Sequence, residues 1–424
     1  MDALVAWKNK PKRRPVLLQG ARQVGKTYIA EQFGAEQFSS SLTVNFQTNL
    51  ARLTEIFSGD LSPQRILEQI GFLYGTVITK DTLLILDEIQ LCQPAVAALA
   101  GLAEYAPAQP ILATTSYSAS QPSFSDDTVD LLGLFPMDFE EFCWAAGRED
   151  WPGEIRESYA TSTPFVAHSD AMVLYRHYTM VGGLPAAVKA YVTNGDWRQV
   201  RETQREVAAL YTLDMRNHLD DATASWTRSV WDSVPKQLLR ERASKFKLSD
   251  VRTGARTYYL EAPIAYLDHC GLILRHYRFP PTRDGSYYKV YLNDVGLLSA
   301  QLGVRPDAFL EESTYQLLSP SFRGALAKNY VRQSLEANLQ ESMYWRSPNT
   351  AAIDFTVMDG QMRLVPIDVQ ASDNVRSRSL GVFRDTYNPP LAIRLSGAQF
   401  GYEDGLKSVP LYAAFCLTSE SVTG

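Results

Sequence analysis

The sequence predicts an α/β fold: a parallel sheet with helices on both faces, then a helical lid and winged-helix segment, then a second, small α/β domain. Three observations predict the first part. Residues 15–145 read as apolar strand runs alternating with helix patterns, which implies a parallel sheet covered on both sides. The stretch Gly20-Ala21-Arg22-Gln23-Val24-Gly25-Lys26-Thr27 spells G-x-x-x-x-G-K-T between an apolar run, Val16-Leu17-Leu18, and a helix-like one. A further buried-strand run, Thr82 to Leu86, ends in the acidic pair Asp87-Glu88.

Each element follows from local pattern. Leu4 and Trp7 mark a short helix, and Lys8 to Arg14 form a basic entry to the first strand. Leu42 to Phe46 is a second strand, Ile66 to Tyr74 an amphipathic helix, and Ala95 to Glu104 another. Ile111 to Thr114 is a strand ending in Thr115-Ser116, and Leu131 to Phe135 a short strand closed by Pro136. Ser116 to Asp127 is rich in Ser and Asp and reads as a surface loop. Residues 146–225 are helical and broken once, at Met180-Val181-Gly182-Gly183-Leu184-Pro185, with Trp197 to His218 as one long charged helix. In 226–300, Lys and Arg outnumber Asp and Glu, although the whole chain carries a net charge of −6. There the pattern gives helices at Trp231 to Glu241, Leu248 to Thr253 and Thr257 to Cys270, then strands at Leu272 to Arg278 and Tyr287 to Leu292. Three helices and a hairpin describe a winged helix, with Arg252, Arg256 and Lys289 as candidate phosphate contacts. The same fold also serves as a plain packing module. Residues 322–424 give a helix (Leu326 to Leu339), strands at Ser342 to Trp345, Ile353 to Met358 and Arg363 to Val369, a helix near Leu380 to Asp385, and strands at Leu391 to Leu395 and Pro410 to Phe415. The expected domains are therefore 1–145, 146–225, 226–321 and 322–424. A chain of 424 residues is too long for one core.

The chemistry centres on Gly20 to Thr27. Its glycines let backbone fold round an anion, and the loop amides of Arg22, Gln23, Val24 and Gly25 with the positive end of the next helix face a phosphate. Lys26 would reach the β and γ phosphates of ATP, and Thr27 would offer its hydroxyl to Mg²⁺. Asp87 sits where a carboxylate completes the Mg²⁺ shell, and Glu88 where a base polarises water. Thr114 and Ser116 either point at the γ-phosphate or form a simple turn. Asp354 and Asp368, on neighbouring strand ends, could share a metal ion or be ordinary strand-end aspartates.

Composition bounds the rest. A negative net charge gives no global pull toward nucleic acid or an anionic membrane, and no apolar run is long enough to span one. Met1-Asp2-Ala3-Leu4 is not a signal peptide, and Cys92, Cys143, Cys270 and Cys416 lack metal spacing, so buried thiols in a reducing cytoplasm are expected.

The chain resembles the prokaryotic AAA-type ATPases whose C-terminal half is an uncharacterised domain with a restriction-endonuclease-like core. The resemblance rests on Gly20 to Thr27, Leu86-Asp87-Glu88-Ile89-Gln90, Phe135 to Phe142, Val181 to Pro185, Tyr291 to Leu298 and Ile353-Asp354-Phe355. It implies a P-loop ATPase domain, a winged helix and a nuclease-like domain in that order. The chain departs from the pattern in two places. Asp126-Asp127-Thr128 stands where a cation would steady charge on the γ-phosphate, so slow hydrolysis is expected, with Arg22 as partial compensation. Lys328, Ala352 and Gln370 replace the acids and the lysine of a nuclease site, so Asp354, Asp368 and Gln370 are expected to form a degenerate one. The expected function is an ATP-binding switch, a slow ATPase at most, acting on nucleic acid through 226–290 and 322–424 or on a protein. The rivals are a non-hydrolysing nucleotide-binding scaffold and a metal-dependent nuclease.

Overall fold

Strand β1 (Val16–Gly20) carries Val16, Leu17 and Leu18 into two different cores, because successive side chains leave a strand on opposite faces. It belongs to a sheet with β2 (Ser40–Asn45), β3 (Thr82–Asp87), β4 (Ile111–Ser116) and β5 (Asp130–Leu134). The order is β2-β3-β4-β1-β5 and every pairing is parallel. Leu17, Leu84, Leu86 and Ala113 pack on one face beneath helices Phe46–Ser58, Pro63–Tyr74 and Gln93–Tyr105. Val16, Leu18, Leu83, Ile85 and Leu112 pack on the other against Leu4, Trp7, Ala30 and Phe33. The near-continuous apolar runs thus arise from burial on both sides.

The computed structural model describes residues 1–116, 128–240, 245–281, 287–338, 340–371 and 378–422. The loop after Ser116, with Asp126 and Asp127, lies outside them, as do Glu241 and Leu339, the expected ends of two helices. The chain divides into two units, Met1–Phe135 and Pro136–Gly424. In the first, β2 ends one residue before Phe46, which instead opens a helix; the Asn45 side chain accepts from Gln47 N at 2.8 Å and caps it.

The second unit holds helices at Trp151–Thr161, His168–Val181, Pro185–Asn194, Trp197–His218 and Asp221–Leu238, then Thr257–His269. Its strands are β6 (Ile273–Phe279), β7 (Tyr288–Leu292), β8 (Ser342–Arg346), β9 (Ala352–Met358), β10 (Leu364–Val369), β11 (Ala392–Ser396), β12 (Gly401–Glu403) and β13 (Leu406–Pro410). They form one sheet in the order β12-β13-β11-β10-β9-β8-β6-β7.

Further local expectations differ from the structure. The helix expected at 248–253 is a single 3₁₀ turn, Leu248–Asp250. The hairpin expected as a wing does not stand alone: β6 pairs with β8 through Arg278–Tyr344 and Phe279–Trp345, so a sheet crosses the expected boundary at 321/322. The run after Pro410 is a 3₁₀ helix, Leu411–Cys416, with all six residues buried. A short, wholly apolar run has no period to tell strand from helix; here it is fixed by Tyr330 Oη and Asn338 Nδ2, which donate to Tyr412 O and Phe415 O at 3.2 and 3.0 Å.

The segments around Met137, Gly183 and Asp294 meet in the middle of this unit. Met137 N donates to Gly183 O at 2.7 Å, and Gly183 N donates to Asp294 Oδ2 at 2.7 Å. Asp294 Oδ1 also accepts from Leu297 N at 2.8 Å. A Cβ on Gly183 would lie 2.0 Å from Met137 O, and Gly182 sits at φ +77° against Asp294. Gly183→Ala is therefore expected to lower unfolding stability by about 2 kcal/mol or more, read as a lower denaturant midpoint of Trp fluorescence; an unchanged midpoint would contradict this packing.

Candidate functional site

The C-terminal ends of parallel strands β1, β3 and β4 share one edge of the sheet, so the segments leaving these strands converge there. After β1 the chain turns through Gln23 at φ +68° and Gly25 at φ +96°, and the helix Lys26–Gln37 begins at once. Gly20 has no room for a side chain: a Cβ would meet Leu134 O at 2.2 Å. Ala21 and Val24 are buried, Arg22 is half-buried and Gln23 is exposed.

Lys26 is 4 % exposed, and its Nζ donates to Ala21 O at 2.9 Å and Gly20 O at 3.3 Å. Burial pushes its pKa down to about 8, against the pull of Glu88 and Asp87. The ammonium thus lies among loop carbonyls and two carboxylates.

Asp87, 2 % exposed, gathers three donors: Thr27 Oγ1 at 2.8 Å and Thr114 Oγ1 at 2.7 Å reach Oδ1, and Asn45 Nδ2 reaches Oδ2 at 2.8 Å. Glu88 comes next, in left-handed backbone, φ +58°. Such a conformation costs a non-glycine residue roughly 1–3 kcal/mol and tends to occur at functional positions. Its N–H donates to Thr114 Oγ1 at 3.0 Å. Its carboxylate accepts from Ser116 Oγ at 2.8 Å on Oε1 and from Gln90 Nε2 at 2.5 Å on Oε2.

Lys26, Thr27, Asp87, Glu88, Thr114 and Ser116 therefore form one cluster. Thr114 and Ser116 lie within β4, not in a turn, and both face the acidic pair. The residues suit Mg²⁺ and a triphosphate: a hydroxyl and a carboxylate already adjacent, a buried lysine, and a loop whose Gly25 takes the left-handed backbone that opens the helix. Sequence reasoning missed Asn45 and Gln90. The signal for Asn45 was its place at a strand-to-helix junction, where Asn caps. Gln90 carried only its spacing from Glu88.

The second candidate locus is different. Asp354 Oδ1 is in an ion pair with Lys328 at 2.7 Å, and Oδ2 accepts from Val369 N at 3.2 Å. Gln370 Nε2 donates to Asp368 Oδ2 at 2.9 Å. Among the described residues no group of three or more His, Cys, Asp or Glu is placed to hold a metal ion. Of the candidate phosphate contacts, Arg252 lies 3.6 Å over the Trp226 ring, Arg256 precedes the helix Thr257–His269, and Lys289 lies on β7. The four cysteines are buried and free. No described helix is long and apolar enough to cross a membrane.

Comparison with known proteins agrees with this geometry. A family model described as an AAA domain matches residues 12–143, and a domain of unknown function (DUF8612) matches residues 172–308. Residues 12–143 are thus similar to AAA domains. No curated protein matches the chain. Among solved structures the chain is similar to C. elegans PCH-2 (15 % identity, TM-score 0.28, covering 45 % of this chain and 61 % of that one). It is similar to the STAND protein PH0952 from Pyrococcus horikoshii (16 %, 0.26, covering 76 % and 43 %) and to Thermotoga maritima RuvB (17 %, 0.28, covering 64 % and 85 %). The chain thus spans less than two thirds of PCH-2 and of PH0952, and likenesses this slight carry no argument about activity.

The Lys26 shift predicts a pH dependence. Phosphate favours the ammonium, and the folded protein sheds that proton near pH 8 rather than 10.5. ATP affinity is therefore expected to hold below pH 8 and to weaken above it, by up to about tenfold per pH unit; titration with a fluorescent ATP analogue from pH 7 to 9.5 measures this, and a flat profile would contradict it.

Proposed function

We propose that the chain binds ATP through Gly20 to Thr27, hydrolyses it slowly, and uses the nucleotide state as a switch on a macromolecular partner. The observation that carries this reading is the convergence of Thr27, Thr114 and Asn45 on Asp87 beside buried Lys26. Thr27 and Asp87 would hold Mg²⁺, which neutralises charge on the β and γ oxygens when bound. Lys26 would exchange the Gly20 and Ala21 carbonyls for phosphate oxygens. Glu88 is the base that would orient water, and Ser116 and Gln90 hold its carboxylate in place.

The same two hydrogen bonds favour a second reading, a nucleotide-binding scaffold that does not hydrolyse, because a carboxylate with both oxygens engaged is withheld from water. A metal-dependent nuclease at Asp354 and Asp368 is disfavoured by the Lys328–Asp354 ion pair, which sets a cation of the protein's own where a metal would bind. The partner, nucleic acid or protein, and a site in the reducing cytoplasm remain part of the proposal.

Two variants test it. Lys26→Ala is expected to weaken ATP binding by at least tenfold, and an affinity within a few-fold of the parent would contradict the assignment of the loop. Glu88→Gln is expected to cut phosphate release by about 10²–10⁴-fold, the usual contribution of a general base, while keeping ATP affinity. Equal release in parent and variant would leave the scaffold reading.

A further inference from the structure

The second unit contains a cavity of about 250 Å³ that the nucleotide site does not use. Four cations line it, Arg240, Lys245, Lys289 and Lys328, together with the polar Gln237 and Ser321, and its lining includes no carboxylate among the described residues. Two of the four are balanced from behind: Lys328 by Asp354 at 2.7 Å and Arg240 by Asp250. The other two lie over ring faces, Lys245 at 4.2 Å from Tyr287 and Lys289 at 4.8 Å from Tyr344, with no ion pair among the described residues. Burial pushes Lys289 down to about 8, against the attraction of Asp354. An anion in the cavity would offset that cost.

The wall adds a second source of positive potential. Pro320 and Ser321, in the first turn of the 18-residue helix Pro320–Ala337, and Gly324 just beyond it line the cavity, so the positive end of the helix dipole borders the same space. A Cβ added to Gly324 would meet nothing within 4 Å, so that side of the helix borders open space. Where a nuclease would gather carboxylates round a metal, this chain gathers cations round a void.

We propose that this cavity binds a phosphate of a nucleic-acid strand. A strand suits it better than free phosphate, because apolar and aromatic surface adjoins the cations. Phe246 lines the cavity, and Tyr287, beneath Lys245 and 5.7 Å from Arg278, is 36 % exposed and adds aromatic surface beside it against which a base can pack. The inference names a site for the partner in the reading above, and it stands apart from ATP binding.

The test is fluorescence anisotropy of a labelled single-stranded 20-mer with the full chain, without nucleotide. The Lys245→Gln/Lys289→Gln double variant is expected to lose at least tenfold in affinity. Its plot of log affinity against log salt should flatten by about 0.7, the contribution of one neutralised phosphate on a single strand. Lys245→Gln alone, a change at a half-buried position, is expected to show about half that flattening if the double variant fails to fold. The same sequence with an uncharged methylphosphonate backbone is expected not to bind the parent. Lys26→Ala is expected to bind the strand as the parent does, which separates failure here from failure of the ATP reading. Unchanged affinity in the folded double variant, or equal binding of the uncharged strand, would overturn the proposal. So would protection by inorganic phosphate alone with no strand bound.

Discussion

The first unit depends on how one buried carboxylate is satisfied. Asp87 ends β3, and its oxygens accept from the helix after β1, from the end of β2 and from β4. Burying such a group costs several kcal/mol unless its lone pairs are met. Meeting them here fixes where three neighbouring chain segments stop relative to each other. The parallel register makes this achievable, since Asn45 pairs with Asp87 across the β2–β3 ladder and Thr114 is carried by the strand on the other side. The phosphate loop is thus held in position by the same group that would help hold a metal ion.

Much of this arrangement was legible in the sequence because its signals are local. The glycine loop, the lysine and threonine after it, and an apolar run ending in two acids are each read within ten residues. The sheet followed from apolar runs buried on both faces, as Leu83 to Leu86 show. What escaped depended on partners distant in sequence. Asn45 has meaning only once β2 and β3 lie side by side; Gln90, two residues from Glu88, is the exception, a local contact with no pattern to mark it. The run after Pro410 took a 3₁₀ form because of acceptors met by Tyr330 and Asn338. The hairpin read as a wing became part of a larger sheet through two residues of β8, a pairing that no hairpin signal contains.

In the second unit, the short motifs that suggested a family resemblance meet physically. Met137, Gly183 and Asp294 are far apart in the chain, yet they exchange backbone and carboxylate hydrogen bonds in one buried place. Gly296 joins them, since a Cβ there would press on Val181 O at 2.3 Å. Burial raises the Asp294 pKa to about 6, although three backbone N–H groups oppose the shift. The glycines are therefore explained by contact distance and the aspartate by the amides it satisfies, with no catalytic task required of either.

Glu88 leaves one more consequence. Ser116 lies on β4 and Gln90 just beyond β3, so the two bonds that engage this side chain reach it from two separate strand ends. Giving up a hydrogen bond of this kind costs about 1–3 kcal/mol. In the proposed ATPase, freeing this glutamate would add that cost to the barrier for cleaving the phosphoanhydride and slow turnover by roughly 5- to 150-fold, a clock set by two hydrogen bonds. Any ligand or partner that nudged β4 against β3 would speed or slow that clock without touching the nucleotide.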